Sequence, residues 1–303
     1  MIGEMRDARH RPKRWGIVAA GAVALAAFAS CSKPSPPPKP VIQSTKAFDA
    51  VYGELPSLPL QAKSFATVAY FPSALEPEKF RPVPIFSVEE GKEEALVVRT
   101  VIRGIEVGEG PADAIHKEIV HPFPPGSELG SFTYEGALAR VTVGGSFRPE
   151  SLSPAQREKA AKALALTVFQ FGRAERIEVT DASGAVRFGA VAKGAETIDI
   201  GSPKILGLMA IREEEGQSPV VLSVLFDRPV FVEEAAVSLP GADAAFPGKV
   251  YSTGFGMTLE FHPEPKVSFD PGREVRIRLV IRDGKGRRAE EEQILRPKLM
   301  ERH

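Results

Sequence analysis

The chain has 303 residues, and its 39 Lys and Arg side chains are balanced by 39 Asp and Glu, so the formal net charge is zero. A protein without excess positive charge has no electrostatic reason to bind the phosphate backbone of a nucleic acid, which excludes that class of partner. Cys31 is the only cysteine, which excludes disulfides within the chain and thiolate metal sites.

The first 30 residues have the organisation of a bacterial export signal. A cationic stretch that ends at Arg14 precedes an apolar run over residues 17–29. This run is shorter than the roughly 20 residues that a helix needs to span a bilayer. It closes on Phe28-Ala29-Ser30-Cys31, which is typical of a lipobox, although Phe28 stands where Leu is usual. We therefore predict cleavage between Ser30 and Cys31 and lipidation of Cys31, with a permanent transmembrane anchor and a plain secretory signal as alternatives.

A lipid on Cys31 would place the protein in the cell envelope, attached to a membrane and facing the periplasm or the cell exterior. Two or more acyl chains anchor a protein stably, because each buried methylene contributes about 0.8 kcal/mol. Ser32, instead of Asp, follows the cysteine, so in a cell with two membranes we expect the outer one. Residues 31–60 are rich in proline and lack apolar periodicity, which predicts a linker outside any hydrophobic core.

Residues 61–191 carry the patterns of both strands and helices. Ser153, followed by a proline and by Gln156, is a helix start signal. Apolar residues recur at helical spacing over 93–107, and Gly108 and Pro111 are expected to end that helix. Because strands and helices interleave without strict βαβ alternation, the predicted class is α+β. Strands are predicted at 65–71, at 83–86 as an edge strand because of its prolines, in a hairpin over 129–143, at 176–180 and around 186–188.

Residues 203–298 show no helical pattern and predict an all-β domain. Segments 220–226, 257–261 and 275–282 run apolar or alternate, and turn signals recur between them. In the last segment apolar residues alternate with arginines, which fits a strand with one buried and one solvated face. Short strands at this spacing favour a β-sandwich, with residues 192–202 as the boundary to the preceding domain.

A series of motifs within residues 61–191 resembles a known family. Its members are, in order, Thr67-Val68-Ala69-Tyr70-Phe71-Pro72, Pro82-Val83-Pro84, a helix before Gly110-Pro111, Pro124-Pro125-Gly126-Ser127-Glu128-Leu129 and Tyr134-Glu135-Gly136-Ala137-Leu138-Ala139-Arg140-Val141. This ordered series resembles the sporulation and spore-germination (GerMN) domain, which also occurs in exported lipoproteins of bacteria that form no spores. The resemblance implies a fold similar to the ring-building modules of envelope secretion channels, no catalytic residues, and association into homo-oligomers.

The C-terminal domain resembles a bacterial Ig-like module. The resemblance rests on Leu222-Ser223-Val224-Leu225-Phe226-Asp227-Arg228-Pro229-Val230, Phe269-Asp270-Pro271-Gly272 and Asp283-Gly284-Lys285-Gly286. It departs from the distinct Ig-like domain that often follows GerMN in spore-germination proteins. A role in sporulation therefore does not follow from either resemblance.

Several motifs invite a chemical interpretation and have a simpler one. His116 and His121 flank Glu118, but two zinc ligands on a helix need a spacing of four residues, and these are five apart with Pro122 next. We expect surface histidines there and no metal site. The glycines of 108–111 follow a helix rather than a strand, so they predict helix termination and not a phosphate loop.

The charged side chains also have a simple interpretation as solvated surface. Carboxylates occur in runs such as 89–90, 93–94, 213–215 and 290–292, and no Ser, His and Asp set forms a triad. The arginines of 275–282 lie on one strand face, where they would meet solvent or an anionic polymer such as peptidoglycan stem peptides.

These patterns predict a protein that is not an enzyme and holds no cofactor or metal. Its expected function is binding or scaffolding in the envelope, with sheet edges and loops docking other envelope proteins or a second copy of the chain. The alternative is an accessory module that binds peptidoglycan and positions or regulates a cell-wall enzyme. A hydrolase is the third and least favoured class.

Overall fold

The computed structural model describes residues 42–57, 63–105, 115, 117–191, 195–212, 221–242, 244–264 and 272–301. All of them belong to one compact unit, Lys39–His303. Cys31, the predicted signal and the proline-rich residues before Ile42 lie outside the described residues. Within the described parts of the chain, no helix combines the length and the apolar character that crossing a membrane requires.

Strands dominate the described chain, and the helices are few. The first part contains β1 (Ile42–Ser44), α1 (Lys46–Tyr52), β2 (Ser64–Pro72), β3 (Lys79–Ser87), α2 (Glu93–Arg103), β4 (Ser127–Glu135), β5 (Leu138–Gly145), α3 (Pro154–Phe169), β6 (Arg176–Thr180), β7 (Val186–Ala190) and β8 (Glu196–Thr197). The second part contains β9 (Ile205–Arg212), β10 (Val221–Phe226), β11 (Phe231–Ser238), β12 (Gly248–Thr253), β13 (Thr258–Pro263), β14 (Val275–Arg282), β15 (Arg288–Leu295) and β16 (Lys298–Glu301).

The first part has two four-stranded sheets, in the orders β1-β2-β3-β8 and β4-β5-β6-β7. Their side chains and those of the three helices above form one hydrophobic core, in which α3 packs on β2 and on β6. Phe71 of β2, Leu164 of α3 and Ile177 of β6 are among its buried members. Helices occur together with sheets that mix parallel and antiparallel pairs, which agrees with the α+β prediction.

Local signals in the sequence positioned several of these elements correctly. Ser153 Oγ accepts a hydrogen bond from the Gln156 amide while the Gln156 side chain accepts one from the Ser153 amide, so the predicted capping box is confirmed. The hairpin of β4 and β5 and strand β6 also form where they were predicted. Beyond Phe80, β2 is the only described strand that pairs with β3, so the other edge of β3 is free there. A proline is tolerated at such an edge because it needs no N–H to bond a second strand.

Helix α2 is shorter than predicted, since it ends at Arg103 and not at residue 107. Gly104 follows with a φ of 83°, a conformation that glycine adopts without strain. A Cβ on Gly104 would lie 2.0 Å from His121 Nδ1. The His121 imidazole therefore packs against the backbone of Gly104, at the point where the chain leaves the helix. Residues 108–111, the predicted stop signal, lie outside the described residues.

The second part is a pair of sheets around its own core. One sheet has the order β12-β13-β10-β9-β16 and the other β11-β14-β15. Their inward side chains form one cluster, to which β10 contributes Leu222 and Val224 and β14 contributes Val275, Ile277 and Leu279. This arrangement is the layered packing that a β-sandwich requires, and β14 alternates as predicted between buried apolar residues and arginines.

The predicted linker is wrong for residues 42–57. Phe48 is fully buried and Tyr52 is 2% exposed, and both belong to the core of the first part. Thr45 caps α1 by accepting a hydrogen bond from the Phe48 amide at 3.2 Å, and β1 pairs in parallel with β2. The prediction failed because α1 has only seven residues, which is too short to show a periodic pattern, and a proline-rich segment precedes it.

Candidate functional site

The most concentrated chemistry in the described chain is a buried group of charges between the two cores. We call it the ionic junction and define it as Arg81, Glu118, Asp227, Arg228, Asp283 and Arg287. Asp227 and Arg228 lie in the connection between β10 and β11, and Asp283 and Arg287 lie in the turn between β14 and β15. Arg81 comes from β3, in the first part.

Arg228 is the centre of the ionic junction and is completely buried. Its Nη2 donates to Asp227 Oδ2 at 2.7 Å, and its Nη1 donates to Asp283 Oδ2 at 3.4 Å. The same two nitrogens donate to the backbone oxygens of Ile200 at 2.6 Å and Gly201 at 2.8 Å. A buried guanidinium is tolerated only with such partners, because an unpaired one would lose its hydration without compensation.

Asp283 extends the junction to helix α1. Its Oδ2 accepts a hydrogen bond from Arg287 Nε at 2.6 Å, and its Oδ1 accepts one from the Lys285 amide at 3.0 Å. Arg287 then donates through Nη2 to the backbone oxygen of Val51 at 2.7 Å. The turn of β14 and β15 is therefore tied to the last turn of α1.

Arg81 connects the junction to the surface of the first part. Its Nη1 lies 2.6 Å from Glu118 Oε2, and its Nη2 lies 3.7 Å from Asp227 Oδ2. Lys204 Nζ also approaches Glu118, at 3.3 Å from Oε1. Glu118, which the sequence places between two histidines, is thus used in ion pairs to Arg81 and Lys204.

Backbone contacts reinforce the ionic junction. Gly53 and Gly284 approach as an isolated parallel bridge, and a Cβ on Gly284 would lie 2.1 Å from the oxygen of Glu54. Nearby, the ring of Phe255 stacks on Phe86 of β3 with centroids 4.5 Å apart and planes 4° from parallel. Phe255 has a φ of 62°, an uncommon conformation for a residue with a side chain, which this packing holds in place.

The ionic junction has the properties of a structural site. Its charges are matched by opposite charges or by backbone oxygens, and they join elements that are far apart in the sequence. Burial raises the pKa of the neighbouring Tyr52 hydroxyl well above its ordinary value, and this outweighs the opposite effect of Arg228. A phenol held in its neutral form beside paired ions is not available as a base or a nucleophile at neutral pH.

The arginines of β14 lie beside glutamates on the solvent-exposed face of their sheet. They lie on the outer face of the three-stranded sheet, and the Arg282 guanidinium also lies 4.3 Å from the centre of the Phe231 ring. An anionic polymer would have to compete with these carboxylates. The pairs are Arg276–Glu292 at 4.0 Å, Arg278–Glu290 at 3.2 Å and Arg282–Glu233 at 3.2 Å.

The remaining sequence candidates are not brought together. His121 lies beside Gly104 and makes an edge contact with the Phe71 ring, 6.2 Å between centroids, while His116 and residues 213–215 lie outside the described residues. In the described part of the chain, His, Asp and Glu side chains form no group of three that could hold a metal ion. The predicted lipidation site, Cys31, is likewise outside the described residues.

The exposed apolar side chains concentrate at sheet edges. Ten large apolar side chains of the described residues are exposed, and seven of them lie on or directly after an edge strand. Unpaired backbone groups beside apolar side chains are the usual platform for adding a strand from another chain. The seven are Val186 and Val191 at β7, Val250 and Tyr251 on β12, Ile294 on β15, and Leu299 and Met300 on β16.

No family model matches this chain, and no curated protein matches it. Among solved structures, the first GerMN domain of the sporulation protein GerM from Bacillus subtilis is 10% identical with a TM-score of 0.32, covering 44% of this chain and 92% of that one. The tandem GerMN domains of the same protein are 10% identical with a TM-score of 0.33, covering 55% and 59%. A candidate lipoprotein from Clostridium perfringens is 12% identical with a TM-score of 0.26, covering 42% and 87%. At these values the likenesses decide neither the fold nor the function of this chain.

Proposed function

We propose that the protein is a lipid-anchored component of the cell envelope that binds other envelope proteins and catalyses no reaction. The anchor is the lipid on Cys31, in the outer membrane where the cell has two. The folded chain combines a GerMN-like α+β domain with an Ig-like sandwich, and it acts as a scaffold or docking module.

One observation carries the binding function: the exposed apolar side chains are concentrated at strand edges. An edge strand offers unpaired N–H and C=O groups, and natural proteins usually blunt such edges with charges or prolines unless they use them. Apolar side chains on these strands add contact area to the backbone hydrogen bonds. The buried charges, by contrast, are engaged in the ionic junction.

Binding to peptidoglycan is the less favoured function. It would use the arginines of β14 as an anionic-polymer site, and their contacts with Glu233 and Glu290 speak against that use. Co-sedimentation with purified sacculi separates the two functions. Pelleting that is lost in an Arg278→Ala variant and kept in a Tyr251→Ala variant would favour peptidoglycan over a protein partner.

The anchor is tested by labelling cells with an alkyne analogue of palmitate. We expect label and envelope fractionation of the wild type, and loss of both in a Cys31→Ser variant. A Ser35→Ala variant, changed in the same proline-rich segment, should keep both. Equal labelling of the Cys31→Ser protein would contradict the anchor.

The docking function is tested by placing a photo-reactive amino acid at single positions in cells. We expect Tyr251 or Met300 on the edge strands to cross-link an envelope protein that, tagged in turn, recovers this chain. Arg278, in the centre of a sheet face, is the matched control. Cross-links at Arg278 alone, or clearing of peptidoglycan by the purified protein in a zymogram, would overturn the proposal.

A further inference from the structure

We propose that β12 is the strand on which the partner docks, and that the partner supplies an extended segment in which acidic and apolar side chains alternate. This inference rests on the proposed function and names the site and the chemistry of its ligand. It follows from which residues of β12 direct their backbone hydrogen-bonding groups away from β13, from a comparison of the sheet edges, and from the side chains that β12 presents.

The phase of the ladder shows which backbone groups of β12 are free for a partner. The Glu264 amide donates to the Pro247 oxygen at 3.0 Å, which makes those two residues a hydrogen-bonded pair. The register then continues without a bulge from Gly248 opposite Pro263 to Thr253 opposite Thr258. Because hydrogen-bonded and non-bonded pairs alternate in an antiparallel ladder, Gly248, Val250 and Ser252 direct their N–H and C=O groups away from β13.

The other edges of the described sheets carry features that oppose strand addition. Edge strands β1, β8 and β16 are two to four residues long, and β7 has five. β4 and β11 have register shifts in their pairing, and β15 carries Arg288 and the glutamates of 290–292. The part of β3 beyond Phe80, which β8 does not cover, carries Pro82 and Pro84. β12 has six residues in regular register with one charged side chain, Lys249. It is therefore the described edge least protected against a new strand.

β12 presents different surfaces on its two faces. Val250 points to the core side of the sheet and is 41% exposed, while Tyr251 on the outer side is 47% exposed. The Tyr251 ring rests edge-on against His262, with centroids 5.0 Å apart, which limits its rotation before binding. An added strand would place apolar side chains beside Val250 and polar ones beside Lys249 and Tyr251, because side chains alternate between the faces.

The charge of Lys249 selects the polar side chains of the partner. His262 lies opposite Lys249 on β13, and its Nε2 is 3.2 Å from Glu260 Oε2. Lys249 is therefore the charge that a docked strand would meet. With respect to a strand on the free edge, Lys249 lies at a non-hydrogen-bonded position, where facing side chains come closest. Opposite charges at such positions stabilise a strand pair, and like charges destabilise it. An acidic residue is therefore expected opposite Lys249.

The test uses the full lipidated protein in detergent micelles and two fluorescent hexapeptides, one alternating Glu with Val and one alternating Lys with Val. Fluorescence anisotropy should show at least about tenfold tighter binding of the acidic peptide to the wild type. Val250→Pro, which removes an outward N–H, should weaken that binding at least about tenfold, and the matched Val250→Ala variant should stay within about threefold. Lys249→Glu, which leaves the backbone intact, should reverse the preference between the peptides.

Three results would overturn the inference. They are equal binding of the two peptides to the wild type, equal binding by the folded proline and alanine variants, and a preference that Lys249→Glu leaves unchanged. Dimerisation through β12 that excludes the acidic peptide, seen by sedimentation, would assign the edge to a second copy and overturn the partner proposed. Failure of the anchor at Cys31 is measured separately by labelling and would leave these binding results unaffected.

Discussion

Arg228 shows at the scale of one residue how a buried charge specifies a contact between distant parts of the chain. Its guanidinium has two carboxylates and two backbone oxygens as acceptors, and Asp283 lies 55 residues away in the sequence. Removing such a group is costly, because its partners stay buried with fewer counter-ions and hydrogen bonds.

Replacing Arg228 with Ala should lower the free energy of unfolding by about 3–5 kcal/mol, because Asp227 and Asp283 would each lose a buried counter-ion. Asp283 would keep Arg287, and Asp227 would keep only the more distant Arg81. Arg278→Ala is the control, since the exposed pair of Arg278 with Glu290 should contribute at most about 1 kcal/mol. Urea unfolding followed by circular dichroism measures both. Equal losses in the two variants would show that the ionic junction does not stabilise the fold.

Tyr70 gives a prediction about alkaline pH. Burial raises the pKa of its hydroxyl from 10.0 to about 12. The folded state therefore holds this proton more tightly than the unfolded state, so the stabilisation is complete below pH 10 and is lost as the pH rises towards 12. The difference in tyrosinate absorbance between the wild type and a Tyr70→Phe variant reports Tyr70 alone, and it should titrate near pH 12. A difference titrating near pH 10 in the folded protein would contradict the burial.

At the scale of elements, α1 is held to the second part of the fold by backbone contacts that depend on the absence of a side chain. A Cβ added to Gly284 would overlap with backbone atoms, since it would lie 2.1 Å from the oxygen of Glu54 and 2.7 Å from the carbonyl carbon of Gly53. The turn between β14 and β15 can therefore carry only glycine at this position while α1 stays in place.

Gly284→Ala should destabilise the protein by about 1–3 kcal/mol, because the new methyl group forces α1 and the turn apart. Gly144→Ala is the matched control, since nothing lies within 4 Å of its Cβ position. Hydrogen exchange should show faster exchange of the α1 amides in the Gly284 variant alone. Unchanged protection of α1 would contradict the close approach.

The sequence predicts those elements whose signals lie within a single segment of the chain, and it fails for those that depend on contacts between distant segments. α3, the β4 and β5 hairpin and β14 follow from capping residues, a turn and alternation within one segment, and all were predicted. β15 was not, because its glutamates are typical of solvated surface and only pairing with β14 makes them a strand. The partners of Arg228 come from separate segments, so no local pattern could reveal the ionic junction.

At the scale of the whole molecule, two hydrophobic cores are joined by the ionic junction, by the Gly53 and Gly284 contact and by the stacked pair of Phe86 and Phe255. Each of these contacts unites residues from both parts. Loosening either core would therefore remove partners from the other, which couples their unfolding.

We therefore expect the wild type to unfold in a single transition, with coincident urea curves from far-ultraviolet circular dichroism and tyrosine fluorescence. The double variant Arg228→Ala with Gly284→Ala should separate the curves into two transitions. The corresponding double variant of the controls, Arg278→Ala with Gly144→Ala, should retain one. Two resolved transitions in the wild type would show that the parts unfold independently.

The last described strand sets a condition on when this fold can form during synthesis. β16, at 298–301, completes its sheet by pairing with β9. The residues after α1, near the other end of the described chain, contact the turn at Gly284. Closing such long loops is slow, and neither contact can form before its later partner, β16 or Gly284, has been synthesised. The order of its contacts along the sequence therefore delays completion of the fold until β16 has been synthesised.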